Sequence, residues 1–207
     1  LPNKLELIEL EKRWEFNNNF FKKGIDEKLS IDQSIHSLFG VSKVSSDLLV
    51  QEYGRYFDIP TCCLRGGCLT GPSHSGVELH GFLNYLIRCN IYKKEYTIFG
   101  YKGKQVRDNI HSYDVANFIY KFSQKPKIAS VYNIGGGYKN SISILEAFAK
   151  IESISGEKMI FKYRDEQRIG DHICYYSNLE KIQNDFPDWS ITKNIDDIFK
   201  DIYNGLI

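Results

Sequence analysis

Ser130-Val131-Tyr132-Asn133-Ile134-Gly135-Gly136-Gly137 decides how this chain folds, together with the segment that begins at Ser143-Ile144-Leu145-Glu146. Residues 130–134 mix β-branched and aromatic side chains in a run of strand length. Three consecutive glycines end the run. Ser143 followed three positions later by Glu146 is a capping box, which satisfies orphan amides at a helix start. The helix it opens runs to Ser155, with Gly156 placed to end it. A second apolar run then restarts at 159–163. Strand, glycine turn, capped helix and strand in succession point to an α/β architecture with parallel pairing.

The same alternation extends outward in both directions. Residues 37–57 carry Leu38, Val41, Val44, Leu48, Leu49 and Tyr53 at helical spacing, one apolar stripe closed by Pro60. Residues 61–64 read as a strand, followed by a loop with Gly66, Gly67, Gly71 and Pro72. A helix is expected over 77–89 and a strand over 96–99. A loop bracketed by Gly100 and Gly103 leads to a helix over 113–123, for which Ser112 is the expected N-cap. Short helices at 179–185 and 195–203 complete the chain. The first 30 residues are charged and irregular and read as a surface excursion anchored by Trp14, Phe20 and Phe21. No repeat, low-complexity segment or interdomain linker divides the chain, so residues 1–207 read as a single partial domain.

Composition narrows the function classes. Lys plus Arg is 27 and Asp plus Glu is 26, a net charge of +1. That balance provides no electrostatic footprint for nucleic acid or an anionic membrane surface. No apolar run reaches the roughly 20 residues that span a bilayer. With 14 Tyr and 13 Phe, the chain has ample material for a core. The five cysteines (62, 63, 68, 89 and 174) include no CxxC pair and read as reduced thiols. A soluble cytoplasmic protein is the expectation. The chain opens Leu1-Pro2-Asn3 and its one Met is Met159, which reads as a fragment or a non-standard start.

Several residues are candidates for chemistry, each with an ordinary alternative. Gly135-Gly136-Gly137 fits a strand-end turn better than a phosphate cradle, because a dinucleotide fingerprint spaces its glycines and enters a helix at once. Phe39 and Lys43 lie four apart on one helix face, as a core aromatic and a solvated lysine often do. Arg107-Asp108, followed by His111 and Asp114, reads as a polar loop running into a helix start, where Arg107 can present its guanidinium fork to a phosphate or sit in a surface ion pair. Arg168, near Asp171, offers the same two readings. Glu78 and His80 can meet a ligand hydroxyl or simply cap a helix. The five histidines (36, 74, 80, 111 and 172) show no metal-ligand spacing.

These segments, taken in order, resemble the extended short-chain dehydrogenases/reductases. His36-Ser37-Leu38-Phe39-Gly40-Val41-Ser42-Lys43 is similar to the family's Tyr-Gly-x-Ser-Lys helix. Leu64-Arg65 with Thr70-Gly71-Pro72 resembles the strand and loop that pass the nicotinamide. Gly103-Lys104-Gln105-Val106-Arg107-Asp108-Asn109-Ile110-His111, with Asp114-Val115-Ala116, resembles the Arg-Asp and Asp-Val motifs. Val131-Tyr132-Asn133-Ile134-Gly135 resembles the Tyr-Asn-x-Gly strand, and Arg168-x-Gly170-Asp171 the late pyrophosphate-binding arginine. Within the NAD-dependent epimerase/dehydratase family, the look is nearest to nucleotide-sugar epimerases of the CDP-paratose 2-epimerase type.

The resemblance implies a Rossmann-type fold of which this chain is the C-terminal part: late parallel strands plus the substrate-binding lobe. The N-terminal dinucleotide-binding half, on the order of 100 residues of βαβ units, is expected to be missing. It implies NAD as cofactor, a CDP-sugar as substrate and a homodimer. Lys43 would hold the nicotinamide ribose and Phe39 stands where the family has its tyrosine base. Thr70 is carried over as catalytic; Arg65, Gly66, Gly67 and Cys68 as cofactor-binding; Glu78, His80, Arg107, Arg168 and Asp171 as substrate-binding. Phe39 has no hydroxyl, so His36, Ser37 or Thr70 would have to take the proton, or oxidation fails. A dehydratase or reductase of the same family, or a non-catalytic nucleotide-sugar-binding remnant, are the alternative readings.

Overall fold

A computed structural model describes residues 5–33, 35–78, 80–167 and 171–207. Its framework is a set of parallel strand pairs bridged by helices, the α/β arrangement expected from the sequence. Strand β1 (Leu7–Glu9) pairs antiparallel with β2 (Trp14–Phe16). Helix α1 (Leu38–Phe57) leads to β3 (Cys62–Gly66) and, after Gly67 alone, to β4 (Cys68–Thr70). Helix α2 (Phe82–Ile91), β5 (Tyr96–Phe99), β6 (Val106–His111) and α3 (Ser112–Gln124) follow. Then come β7 (Ser130–Ile134), β8 (Ser141–Ser143), α4 (Ile144–Ser155) and β9 (Phe161–Arg164). Two short helices, α5 (Glu180–Asp185) and α6 (Ile195–Asn204), end the chain.

Residues 62–70 form one extended run that changes partner at Gly67. Before it, β3 pairs parallel with β7; after it, β4 pairs parallel with β6. β5 pairs parallel with β9, and β8 adds antiparallel to β6. The capping box of α4 forms as the sequence predicts: Ser143 Oγ accepts from Glu146 N–H at 3.1 Å, and Glu146 accepts from Ser143 N–H at 2.9 Å. Gly156, at φ 75°, terminates the helix.

Four local expectations need correction. Residues 106–111, expected as a polar loop, are the strand β6. Helix α2 begins at Phe82 rather than at 77, because Val77 and His80 close a tight bridge and Gly81 turns the chain through a positive φ. His111, not Ser112, caps α3: its Nδ1 accepts from Tyr113 N–H at 3.0 Å. Residues 5–33 are less irregular than their charges suggest. The β1–β2 hairpin buries Phe16 edge-on against Tyr176, at 5.0 Å between centroids. Phe21 packs beside it and Trp14 joins the same cluster, while the Phe20 side chain lies outside the described residues.

Two larger clusters carry the rest of the core. One joins α2, α4 and α6 around Leu86, Ile151 and Phe199. The other gathers Phe118, Tyr132, Phe186 and Trp189 between α3 and β7. Helix α1 faces β3 through Asp47, Gln51 and Gly54, and its apolar stripe points the other way. Leu38, Val41, Leu48, Leu49 and Tyr53 are all exposed, and only Val44 is half-buried.

Asp114, fully buried in the first turn of α3, ties that helix to the C-terminal segment. Its carboxylate accepts from the Thr192 amide and hydroxyl and from the Lys193 amide, at 3.1, 2.5 and 3.1 Å. Its carbonyl accepts from the Trp189 indole at 3.0 Å. Asp114→Ala removes three hydrogen bonds that part-buried donors make to a buried carboxylate, and is expected to lower the unfolding free energy by about 3 kcal/mol. Guanidinium denaturation measures the loss, and a change below about 1 kcal/mol would refute this account.

Candidate functional site

The polar side of β6 builds the site. Successive strand residues point to opposite faces, so Gln105, Arg107 and Asn109 look the same way. They line a cleft of about 710 Å³ at the C-terminal end of β4, with Gly67, Cys68 and Thr70 opposite. The crevice beyond the carboxyl ends of parallel strands is the general ligand position in open α/β sheets. The loop after β4 supplies Glu78 and His80, and Asp171 closes one side.

Each predicted residue has a definite place. Thr70 is buried; its hydroxyl donates to Asn84 Oδ1 at 3.0 Å, and Asn84 donates to the Gly71 carbonyl at 3.1 Å. Arg107 donates to Asp171 Oδ1 at 2.5 Å and to its neighbour Val106 O at 2.7 Å. Arg168 and Gly170 lie outside the described residues. Burial pushes the Cys68 thiol up to about 12, so it stays protonated and unreactive. His80 meets His74 nearly edge-on at 5.5 Å between rings, and burial, then the His80 charge, lowers the His74 pKa.

Four predicted residues stand away from this cleft. Phe39 and Lys43 do not line it; Phe39 is 71% exposed, with the Lys43 ammonium 5.1 Å above its ring. Arg65 forms a two-pronged pair with Asp47, both contacts at 2.9 Å, and donates to the Glu27 carbonyl at 3.2 Å. It lines a second cavity of about 310 Å³, with His36, Ser37, Gly40, Asn133, His172 and Tyr175. Gly66, the last residue of β3, lines neither cavity.

Beneath the cleft lies Asp108, with no exposed surface. Its Oδ2 accepts from the amides of Gly137 and Ser177 at 3.0 and 2.9 Å. A Cβ on Gly135 would stand 2.2 Å from Oδ2, and one on Gly67 2.4 Å from Oδ1, so only glycine fits at either place. Burial pushes this carboxyl above the usual carboxylate range, against the pull of the two amides. The glycine run therefore wraps an internal carboxyl group, as a strand-end turn, and is not free to cradle a phosphate.

Sequence reasoning missed Gln105, Asn109 and Asn84. The first two carried a usable signal: they alternate with Arg107 at strand period, which becomes visible once 106–111 is read as β6. Buried Asn84 sits at a helical position with no motif around it. Gln105 Oε1 and Asn109 Oδ1 are buried without hydrogen-bond partners among the described residues, and both side chains line the cleft. Buried acceptors left open in a concave site are suited to a ligand rich in donors.

The NAD dependent epimerase/dehydratase family matches residues 22–135, and the chain belongs to that family. CDP-paratose 2-epimerase from Salmonella typhi is 30% identical over 174 residues, 81% of this chain and 50% of that protein. A dTDP-glucose 4,6-dehydratase from Escherichia coli strain K12 is 30% identical over 154 residues, 70% of this chain and 41% of the relative. Among solved structures, a tyrosine-to-phenylalanine mutant of UDP-glucuronic acid 4-epimerase from Bacillus cereus aligns with a TM-score of 0.76 at 26% identity. It covers 90% of this chain and 58% of that one, and was solved with UDP-4-deoxy-4-fluoro-glucuronic acid and NAD. The chain spans about half the length of the curated relatives it matches.

The family's cofactor is NAD. Lys43 is exposed on α1 with its ammonium over the Phe39 ring, and Gly67 and Cys68 line the cleft. Gly135 and Gly137 are occupied with Asp108 and Gly136 lies against Asn109 and Asn140, so they offer no cradle for the pyrophosphate.

His172 gives the site a pH signature. Burial, and next the charge of Arg107, hold its imidazole down to about 4. The unfolded chain takes up this proton near pH 6.5 and the native state refuses it, so stability is lost as pH falls from about 6.5 towards 4. Urea midpoints at pH 7 and pH 5 are expected to drop more for the wild type than for His172→Gln. Equal drops would show that His172 is not held neutral by its surroundings.

Proposed function

We propose that residues 1–207 act as one partial unit, the substrate-binding lobe and late cofactor strands of a nucleotide-sugar epimerase of the CDP-paratose 2-epimerase kind. The observation that carries this reading is Arg107, on the wall of a cleft at the ends of β4 and β6 that also holds Thr70. A half-buried guanidinium beside a cavity of this size suits the diphosphate of a nucleotide sugar. Arg168 and Asp171 would complete the diphosphate site, with Glu78 and His80 at the sugar or its nucleotide. NAD, when bound, supplies reversible hydride acceptance, so that a sugar carbon passes through a keto form and is reduced from the other face. Lys43 would hold the nicotinamide ribose, and Gly66, Gly67 and Cys68 would pass the ring, with Arg65 fixing their strand through Asp47. The exposed apolar face of α1 is the surface we assign to a homodimer contact.

Phe39 favours a second reading, nucleotide-sugar binding without turnover, because a phenyl ring accepts no proton. The Bacillus cereus relative is a tyrosine-to-phenylalanine mutant solved with both a nucleotide sugar and NAD, so that change is compatible with binding in that protein.

Calorimetry with CDP-glucose tests the reading. Arg107→Ala is expected to weaken binding at least tenfold, about 1.4 kcal/mol, while Phe39→Tyr leaves it within twofold. UDP-glucose, titrated in parallel, decides whether the site prefers cytosine. Equal affinity of the wild type and Arg107→Ala would remove Arg107 from the diphosphate site.

A further inference from the structure

We propose that Thr70 Oγ1 and Asn109 Oδ1 are fixed hydrogen-bond acceptors for hydroxyls of the hexose, and that through them the cleft takes a neutral hexose and turns away a hexuronic acid. The inference rests on the nucleotide-sugar reading above and names the sugar class for the same site.

Backbone carbonyls fix the direction of each hydrogen bond, because a carbonyl oxygen only accepts and whatever meets it must donate. Asn84 Nδ2 donates to the Gly71 carbonyl at 3.1 Å, which turns Asn84 Oδ1 towards Thr70. The Thr70 hydroxyl therefore gives its one hydrogen to that oxygen, at 3.0 Å, and has only lone pairs left for anything in the cleft. Asn84 is wholly buried, so water does not compete for it. Asn109 is held in the same sense. Its Nδ2 donates to the carbonyls of Arg107 and Asn140, at 3.1 and 3.3 Å, and its Oδ1 is buried without a partner among the described residues. Two side chains of different kinds, held by different carbonyls, thus offer the same thing: an oxygen that accepts and cannot donate.

Their place in the cleft gives them to the hexose. Asn109 stands opposite Cys68 in the β4–β6 register, and Thr70 lies two residues further along β4. Gln105 marks the other end. Its Nε2 donates to the Phe99 carbonyl at 3.1 Å, and Tyr96 and Phe99 line the cleft on that side, where aromatic surface suits the flat face of a base. At about 3.3 Å per strand residue, Gln105 and Asn109 lie roughly 7 Å to either side of Arg107. A diphosphate held at Arg107 then has its nucleoside towards Gln105 and its sugar towards Asn109 and Thr70.

The charge of the lining points the same way. Arg107 is the one Lys or Arg among the described residues that line the cleft, and it is already paired with Asp171, while Glu78 adds a second carboxylate. A sugar hydroxyl brings a hydrogen to each open acceptor, which removes the cost of leaving that acceptor buried and unmet. A hexuronate carboxylate at the same place brings only lone pairs and a negative charge, with no further Lys or Arg to meet it.

Calorimetry on the full chain with CDP-glucose and CDP-glucuronic acid, which differ only at C6, is the test. The wild type is expected to bind CDP-glucose at least tenfold more tightly. Thr70→Val keeps the side-chain shape and removes the acceptor, and Asn109→Leu removes the second; each is expected to narrow the ratio at least threefold. A purely structural role would weaken both ligands alike and leave the ratio unchanged, and either variant suffices should the other fail to fold. A wild-type ratio below tenfold, or one that neither variant narrows threefold, overturns this inference while the nucleotide-sugar reading stands. If neither compound binds more tightly than CDP, the hexose has no site in the cleft, and the epimerase reading falls together with this inference.

Discussion

The fold turns on a buried carboxyl group. Asp108 sits where the extended run 62–70 changes partner, where β7 ends and where the chain returns at Ser177. Two amides converge on its Oδ2, and two glycines, 67 and 135, leave no room for a side chain between it and the backbone. A carboxyl group taken out of water is costly unless hydrogen bonds meet it, which makes this junction intolerant of displacement. Because Asp108 and Arg107 are neighbours on one strand, whatever holds the first inward holds the second outward, at the cleft. The internal acid and the ligand-facing base are thus positioned by one strand register.

This explains which parts of the fold were legible in the sequence. Helix α4 announced itself through local chemistry, Ser143, Glu146 and Gly156, that acts within a few residues and needs no tertiary partner. Strands β5 and β7 were visible because their side chains are apolar where they pack. Strand β6 was not, because Arg107, Asp108, Asn109 and His111 make it polar, and polar runs usually mark loops. Its polarity is tolerated only because distant groups satisfy it: Gly137 and Ser177 for Asp108, and Asn140 for Asn109. The hairpin was hidden for a similar reason. Glu9 is paired with Lys102 and Lys104, and Arg13 donates to Ser141, all far away in sequence.

Legibility of the site followed the same rule. Arg107 and Asp171 were named from the order of motifs, and they meet at the cleft wall. Arg65 was carried over as a cofactor residue, yet its guanidinium is engaged by Asp47, so what it does most directly is fasten α1 to β3. That fastening determines where the first turns of α1 point, and with them His36, Phe39 and Lys43. Gln105 and Asn109 escaped notice because their meaning depends on strand phase, which motif order does not reveal.

Helix α1 shows how two requirements are met on one element. One face carries Asp47, Gln51 and Gly54 against β3, which needs small or polar residues for close contact. The apolar residues that helical periodicity made prominent lie on another face and are open, with Leu38 92% exposed. Periodicity alone reports that a stripe exists and not what covers it. The geometry at the start of the helix is different in kind, since it depends on a few short-range contacts. The Ser37 cap, the Ile31 carbonyl on His36 and the absent side chain of Gly40 act within ten residues of one another. The start of α1 is therefore set by local structure, whatever its apolar face meets.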